Sequence, residues 1–308
     1  HMKARAHATL DALVRMEHLA KGITFLPKQP LQSLLSGRHA SRLRGRGLAF
    51  EELRHYRPGD DIRSMDWKAT ARLRKPHVRV YSEERDRPTM LLIDQRSTMF
   101  FGSVAATKSV VAAEAAALVA WSVLNAGDRV GAVIIGDEEC IEIKPHRSRR
   151  SVLRILGEVT RLNRSLPGPV NIRDPETIHH ALRRVRHFVP HDALVVALSD
   201  YYGLDAEGAR LTTEIAQHND VLAVLVYDPL EGNLPAGPDM IATDGRLEVE
   251  VPDSARFMRD YRSGAGERIS QLRDLLRRLR IPIVPLGTAE PVVDQLNELF
   301  GRHTAPPQ

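Results

Sequence analysis

The sequence predicts an α/β protein: a doubly wound, mostly parallel sheet with helices on both faces, preceded by an N-terminal helical and extended segment. Three observations carry this. Short, almost wholly apolar runs read as buried strands at 89–94, 129–135, 194–198, 221–227 and 281–286. Longer stretches with helical spacing lie between them, and strands alternating with helices argue for parallel pairing. Two of the runs lead into a carboxylate, Asp94 and Asp200, where open α/β sheets place ligand sites.

Size and composition set the frame. A chain of 308 residues holds one large domain and a smaller appendage, and 43% hydrophobic with 27% charged residues is ordinary for a globular protein. His1-Met2 reads as a cloning remnant, and no signal peptide or membrane-length apolar run is expected. The longest candidate, 109–124, carries Glu114 and reads as a buried helix. One cysteine, Cys140, excludes an internal disulfide and fits a reducing, cytoplasmic setting, with packing as its role. The net charge of +5 is uneven, about +9 over the first ninety residues and −4 over the rest. The basic part suits an acidic protein partner, nucleic acid, or the acidic remainder of the chain.

In order, residues 4–20 place Leu10, Leu13, Val14 and Leu19 at helical spacing. From 21 to 47 the pattern fades into loop, ending in Arg42, Arg44 and Arg46 between glycines. Pro58-Gly59 signals a turn, proline presetting one central residue and glycine supplying positive φ at the next. Around it Arg54, Arg57, Arg63 and Arg72 are spaced to pair with Glu51, Asp60, Asp61 and Asp66, an ordered polar network beside Tyr56 and Trp67. Residues 77–81 alternate like a strand. After the strand at 89–94 comes a hydroxyl-rich loop, then an Ala-rich helix at 105–125 stopped by Gly127. The remaining elements are a short strand at 140–144, helices at 148–162, 175–188 and 205–218, a hairpin at 240–251 turning at Asp244-Gly245, and helices at 255–279 and 292–300.

Asp94 and Asp200 converge at the crest of such a sheet. With Thr98, and Glu176 or Thr177 at a helix start, they make an oxygen cluster of the kind magnesium takes. This resembles the Rossmann-type von Willebrand factor A fold and its metal-ion-dependent adhesion site. That site has an Asp-x-Ser-x-Ser motif, a Thr before a helix and an Asp after a central strand. Closer is the resemblance to a bacterial branch, the domain-of-unknown-function family fifty-eight (DUF58). It is carried by Gly45-Arg46-Gly47, Phe50, Arg54-x-Tyr56-x-Pro58-Gly59-Asp60-Asp61-x-Arg63, Asp66-Trp67, Ala71-Arg72, and Tyr227-Asp228-Pro229-Leu230-Glu231 with Leu234-Pro235. The resemblance implies a von Willebrand factor A-like domain at 88–308 behind an N-terminal segment at 2–87. It also implies an adaptor role beside a MoxR-type AAA+ ATPase.

The chain departs from the metal-site pattern. Arg96 stands where the first serine belongs, and Glu176 where the second-motif threonine belongs, with Thr177 one residue off. A guanidinium has no lone pair for a metal and brings positive charge into the site. Either Arg96 replaces the metal by pairing with Asp94, Asp200 or both, which is the arrangement favoured, or it turns outward and a weak Mg²⁺ site survives. The histidines are no better as ligands: His179 and His180 face different ways on a helix, and Pro190 breaks the chain between His187 and His191. No P-loop, nucleophile elbow or dinucleotide fingerprint is present, so an enzyme is not expected and a hydrolase is a minor alternative. Nucleic-acid binding through the basic N-terminal region and Arg147, Arg149 and Arg150 is the other, disfavoured by interleaved acids and few aromatics. The expectation is a cytoplasmic protein-interaction module without a resident cofactor. Its interacting residues are Arg54, Tyr56, Gly59, Asp60, Asp61, Arg63, Asp66, Trp67 and Arg72.

Overall fold

A computed structural model describes residues 5–22, 48–58, 60, 63, 65–83, 87–166, 175–231, 241–243, 248–250, 272, 274–279 and 281–300. In chain order the elements are α1 (Leu10–Leu19), β1 (Leu48–His55), α2 (Trp67–Leu73), β2 (His77–Glu83), β3 (Thr89–Asp94), α3 (Lys108–Asn125), β4 (Val130–Ile135), β5 (Cys140–His146), α4 (Arg149–Arg164), α5 (Pro175–Phe188), β6 (Leu194–Ser199), α6 (Ala206–His218), β7 (Asp220–Tyr227), β8 (Ile241–Thr243), β9 (Glu248–Glu250), β10 (Ile283–Gly287) and α7 (Val292–Phe300). The chain forms two compact units, residues 39–86 and residues 1–38 with 87–308. This differs from the expected grouping of 2–87, because α1 spends its apolar residues Leu13 and Met16 on the core of the larger unit.

The larger unit is built on a six-stranded sheet in the order β10-β7-β6-β3-β4-β5, parallel except for β5, which runs antiparallel to β4. The chain lays β4 and β5 on one side of β3, then returns to add β6, β7 and β10 on the other. The winding therefore reverses between β3 and β6, and a crevice opens at their C-terminal ends. Side chains along β3 alternate between two cores. Leu91 and Ile93 join α1, α3, α4 and α7, while Met90 and Leu92 join α5 and α6.

Helix α3 is the centre of the first layer. Every residue from Lys108 to Val123 is buried. By length and composition it is apolar enough to cross a membrane, but here it is the core helix of the fold. Its alanines let the neighbouring elements approach closely, and an all-round apolar surface belongs to a helix packed on every side. Trp121 donates its Nε1–H to the Leu13 carbonyl at 3.0 Å, which fixes α1 on α3. Glu114, the carboxylate inside this helix, is tolerated because Arg5 pairs with it. Arg5 forms an isolated parallel bridge with the residues just before α3: Arg5 N–H bonds Ala105 O at 2.9 Å, and Thr107 N–H bonds Arg5 O at 3.0 Å.

In the smaller unit, β1 and β2 pair antiparallel with a bulge between Phe50 and Glu52. The expected turn is present, closed by Asp60 N–H on Arg57 O at 3.0 Å and by Arg57 N–H on Asp60 Oδ2 at 2.7 Å. The bulge explains why β1 is not legible as a strand: it breaks the period-two alternation that would reveal one. Helix α2 was also unanticipated. Asp66 caps it, accepting from Ala69 N–H at 2.9 Å, and it ends at Arg74 in the left-handed region with φ 52°. Of the residues expected in a polar network, Asp60, Arg63 and Asp66 all engage partners. Asp66 serves the helix end, Trp67 is 66% exposed, and Arg72 is exposed without an ion-pair partner among the described residues. Gly59, Asp61 and the Arg54 side chain lie outside the described residues. So do the loop at 23–47, the turn at Asp244-Gly245 and most of the helix expected at 255–279, of which 272 and 274–278 are helical.

Candidate functional site

The crevice at the β3–β6 reversal holds the two carboxylates. In register, Ile93 lies beside Leu198, so Asp94 and Ser199 follow as neighbours. Ser199 Oγ donates to Asp94 Oδ2 at 2.6 Å. Arg96, two residues after Asp94 and 3% exposed, folds back onto it: Nε reaches Oδ1 at 3.0 Å and Nη2 reaches Oδ2 at 2.7 Å. The Arg96 backbone N–H adds a bond to Oδ1 at 3.1 Å, and Nη2 also reaches Tyr202 O at 3.1 Å. Burial alone would make the guanidinium easier to deprotonate. The charge of Asp94, with Asp200 and Asp137 behind it, more than offsets that and raises the Arg96 pKa.

Asp200 is paired by a different cation. Lys108 Nζ, in the first turn of α3, lies 2.8 Å from Asp200 Oδ2 and also pairs with Glu231. Both side chains of the Lys108–Asp200 pair are 2% exposed. Desolvation opposes the charges, yet Asp200 and Glu231 raise the Lys108 pKa, while Lys108 and then Arg96 lower that of Asp200. Asp200 Oδ1 accepts from Tyr202 N–H at 2.9 Å. Between them Tyr201 adopts φ 55°, a left-handed conformation that costs a non-glycine residue about 1–3 kcal/mol. Its hydroxyl donates to Ala197 O at 2.7 Å, and its pKa is raised by burial and then by Asp94.

The surrounding loops are tied by further carboxylates and amides. Asp137 receives Ser97 N–H at 2.9 Å and its hydroxyl. Asp228 receives Ser103 N–H at 2.7 Å, Ser103 Oγ at 2.6 Å and the Thr288 hydroxyl, which hold its pKa low against burial. Asn163 bridges Gln95 Oε1 at 2.8 Å to Ala8 N–H at 2.7 Å, linking the loop after β3 to α4 and the N-terminal residues. Beneath the site, an apolar cavity of about 30 Å³ lies between the sheet and α5 and α6, with Leu92, Ile178, Ala197 and Ile215 in its wall beside Ser199 and Tyr201.

Could this site hold a divalent cation? Both Asp94 oxygens and both Asp200 oxygens are spent on donors of the chain. Two fixed positive charges stand where the ion's charge would be needed. Of the oxygens expected to serve a metal, the Thr98 hydroxyl is shielded from solvent without a hydrogen-bond partner among the described residues. Thr177 is half-buried in the first turn of α5 and bonds neither carboxylate, and the Glu176 side chain lies outside the described residues. As built, the residues do not fit a divalent ion.

Of the residues singled out in the sequence, Asp94, Arg96 and Asp200 are brought together. Of the pairings the sequence left open, Arg96 takes Asp94, while Asp200 is taken by Lys108, which the sequence reading did not include. Lys108, Ser199, Asp137, Asp228 and Glu231 were missed as site residues. A lysine opening an otherwise Ala-rich apolar helix was the available signal for Lys108.

A family profile described as "Protein of unknown function DUF58" matches residues 52–267. The chain belongs to the DUF58 family. Relatives of this DUF58 protein include uncharacterised proteins of Mycobacterium tuberculosis and Mycobacterium bovis. Each is 29% identical over 264 residues, covering 85% of this chain and 81% of the relative. Among solved structures, the conserved hypothetical protein BatB of Bacteroides thetaiotaomicron matches 69% of this chain and 98% of its own at 12% identity, with a TM-score of 0.39. An aerotolerance-related membrane protein of Bacteroides fragilis matches 70% of this chain and 98% of its own, also at 12% identity and a TM-score of 0.39.

Proposed function

We propose that this DUF58 protein is a protein-interaction module, an adaptor whose crest descends from a von Willebrand factor A-like metal site that has exchanged its ion for side-chain cations. The observation that carries the reading is the double pairing of Asp94 with Arg96 and Asp200 with Lys108. Such a crest is rigid and prearranged without an ion, which suits recognition: fixed charge pairs set geometry more than they add stability. The reading is non-enzymatic, since Ser199 commits its hydroxyl to Asp94. The resemblance of the Arg/Asp signature supports a MoxR-type AAA+ ATPase as partner, and the single Cys140 supports a reducing, cytoplasmic setting.

Calorimetric titration with Mg²⁺ tests the exchange: no stoichiometric binding at sub-millimolar concentration is expected for the wild type. Clear binding would return the crest to the metal-dependent class. Capture of a MoxR-type ATPase encoded beside the gene tests the role, with Arg96→Ala expected to weaken it. Undiminished capture by that variant would move the interface away from the crest.

A further inference from the structure

Several exposed arginines in the larger unit meet a carboxylate, while others, such as Arg150, Arg154 and Arg164, have no ion-pair partner among the described residues. Arg149 meets Glu17 at 2.9 Å, Arg161 meets Glu139 at 2.8 Å, and Arg210 meets Glu207 at 2.7 Å. Helix α2 of the smaller unit and the two residues after it gather four cations. Lys68, Arg72, Arg74 and Lys75 are exposed, and none has an ion-pair partner among the described residues. The stretch from Trp67 to Ser82 contains no acidic residue, and Asp66 has turned its carboxylate to the helix end.

Trp67 belongs to the same surface. Positions 67 and 71 form one helical row and 68 and 72 the adjacent one, with Arg74 and Lys75 following at the helix end. The result is an indole and the small Ala71 flanked by cations that have no ion-pair partner among the described residues. Trp67 is 66% exposed, whereas Trp121 is 0% exposed. An exposed indole forgoes the stabilisation that burial would bring, and four cations within eight residues, two on the helix and two just past its end, repel one another.

We infer that this face of α2 is a docking surface for a protein partner that presents an apolar cleft for Trp67 rimmed by carboxylates for Lys68, Arg72, Arg74 and Lys75. Tryptophan and arginine are the residues that most often anchor interfaces. A protein fits better than a nucleic acid, because single strands are read in grooves that carry successive aromatic platforms, and this is one indole on a convex helix. The inference does not depend on how Asp94 and Asp200 are neutralised.

The test uses the full chain and follows Trp67 emission, with the buried Trp121 as a constant background. The probes are an amphipathic peptide with glutamates on one face and leucines on the other, polyglutamate as a charge-only control, and oligothymidine. The peptide is expected to shift the emission to the blue and to bind at least about tenfold more tightly than either polyanion. Trp67→Ala and the double variant Lys68→Glu, Arg72→Glu should each lose about tenfold or more in peptide affinity while unfolding at the wild-type temperature. Three results would overturn the inference: oligothymidine binding as tightly as the peptide, equal peptide binding by Trp67→Ala, or no response to any probe. A lowered melting temperature for Trp67→Ala would do so too, since it would show the indole to be a packing residue.

Discussion

A lysine in the first turn of a helix sits against the positive end of the helix dipole, and Lys108 does so out of reach of water. Only the flanking acids make that tolerable. Removing one member of a buried pair leaves an uncompensated charge, so Lys108→Ala should destabilise the fold by about 3–5 kcal/mol. The double variant Lys108→Met, Asp200→Leu should recover most of that, because Glu231 is partly exposed and can turn to solvent. Urea unfolding of Lys108→Ala checks the loss, and that of the wild type, Lys108→Met, Asp200→Leu and their double variant checks the recovery; additive losses would show that the two residues are not coupled. The contrast with Arg96 explains what a sequence discloses at this scale. Arg96 and Asp94 are two residues apart, so their pairing could be foreseen locally. Lys108 and Asp200 are separated by 92 positions, and nothing in either neighbourhood announces the other.

Elements are held in place by backbone as much as by side chains, and the approach to α3 shows it. A Cβ added to Gly102 would lie 2.0 Å from the carbonyl oxygen of Ala106, in a stretch where Ala105 and Thr107 are bonded to Arg5 and cannot retreat. Gly102→Ala should therefore cost about 1–3 kcal/mol by overpacking. Gly157 in α4 has nothing within 4 Å of its added Cβ, and Gly157→Ala should instead stabilise by about 0.5–1 kcal/mol. Thermal unfolding of the two variants checks the opposite signs. The long apolar elements of the larger unit were readable because burial on both faces imposes composition. Strand β1 and helix α2 were not: the strand carries charges and a bulge, and the helix is only seven residues long with an exposed face.

For the whole molecule, the reversal between β3 and β6 concentrates acid–base linkage at one end of the sheet. Asp200 and Asp228 both have lowered folded-state pKa values. Each therefore contributes stability that is complete above the unfolded value of about 3.9 and is lost as pH falls through the lower folded value. Lys108 has a raised value, so its contribution is complete below about 10.4 and is lost as pH rises beyond that. Melting temperature should accordingly fall steeply below about pH 4, and Asp228→Asn should flatten that limb; an unchanged limb in the variant would assign it to other carboxylates. The strand order was legible as a class, since alternating elements imply a parallel sheet, but the place of the reversal was visible only through its two terminal carboxylates. The cavity beneath them has a mechanical consequence. Voids are the volume a protein can surrender under hydrostatic pressure. Compression would act where Ser199 and Tyr201 wall that space, pressing on the hydroxyl that bonds Asp94. The charged crest thus rests on a foundation that can give.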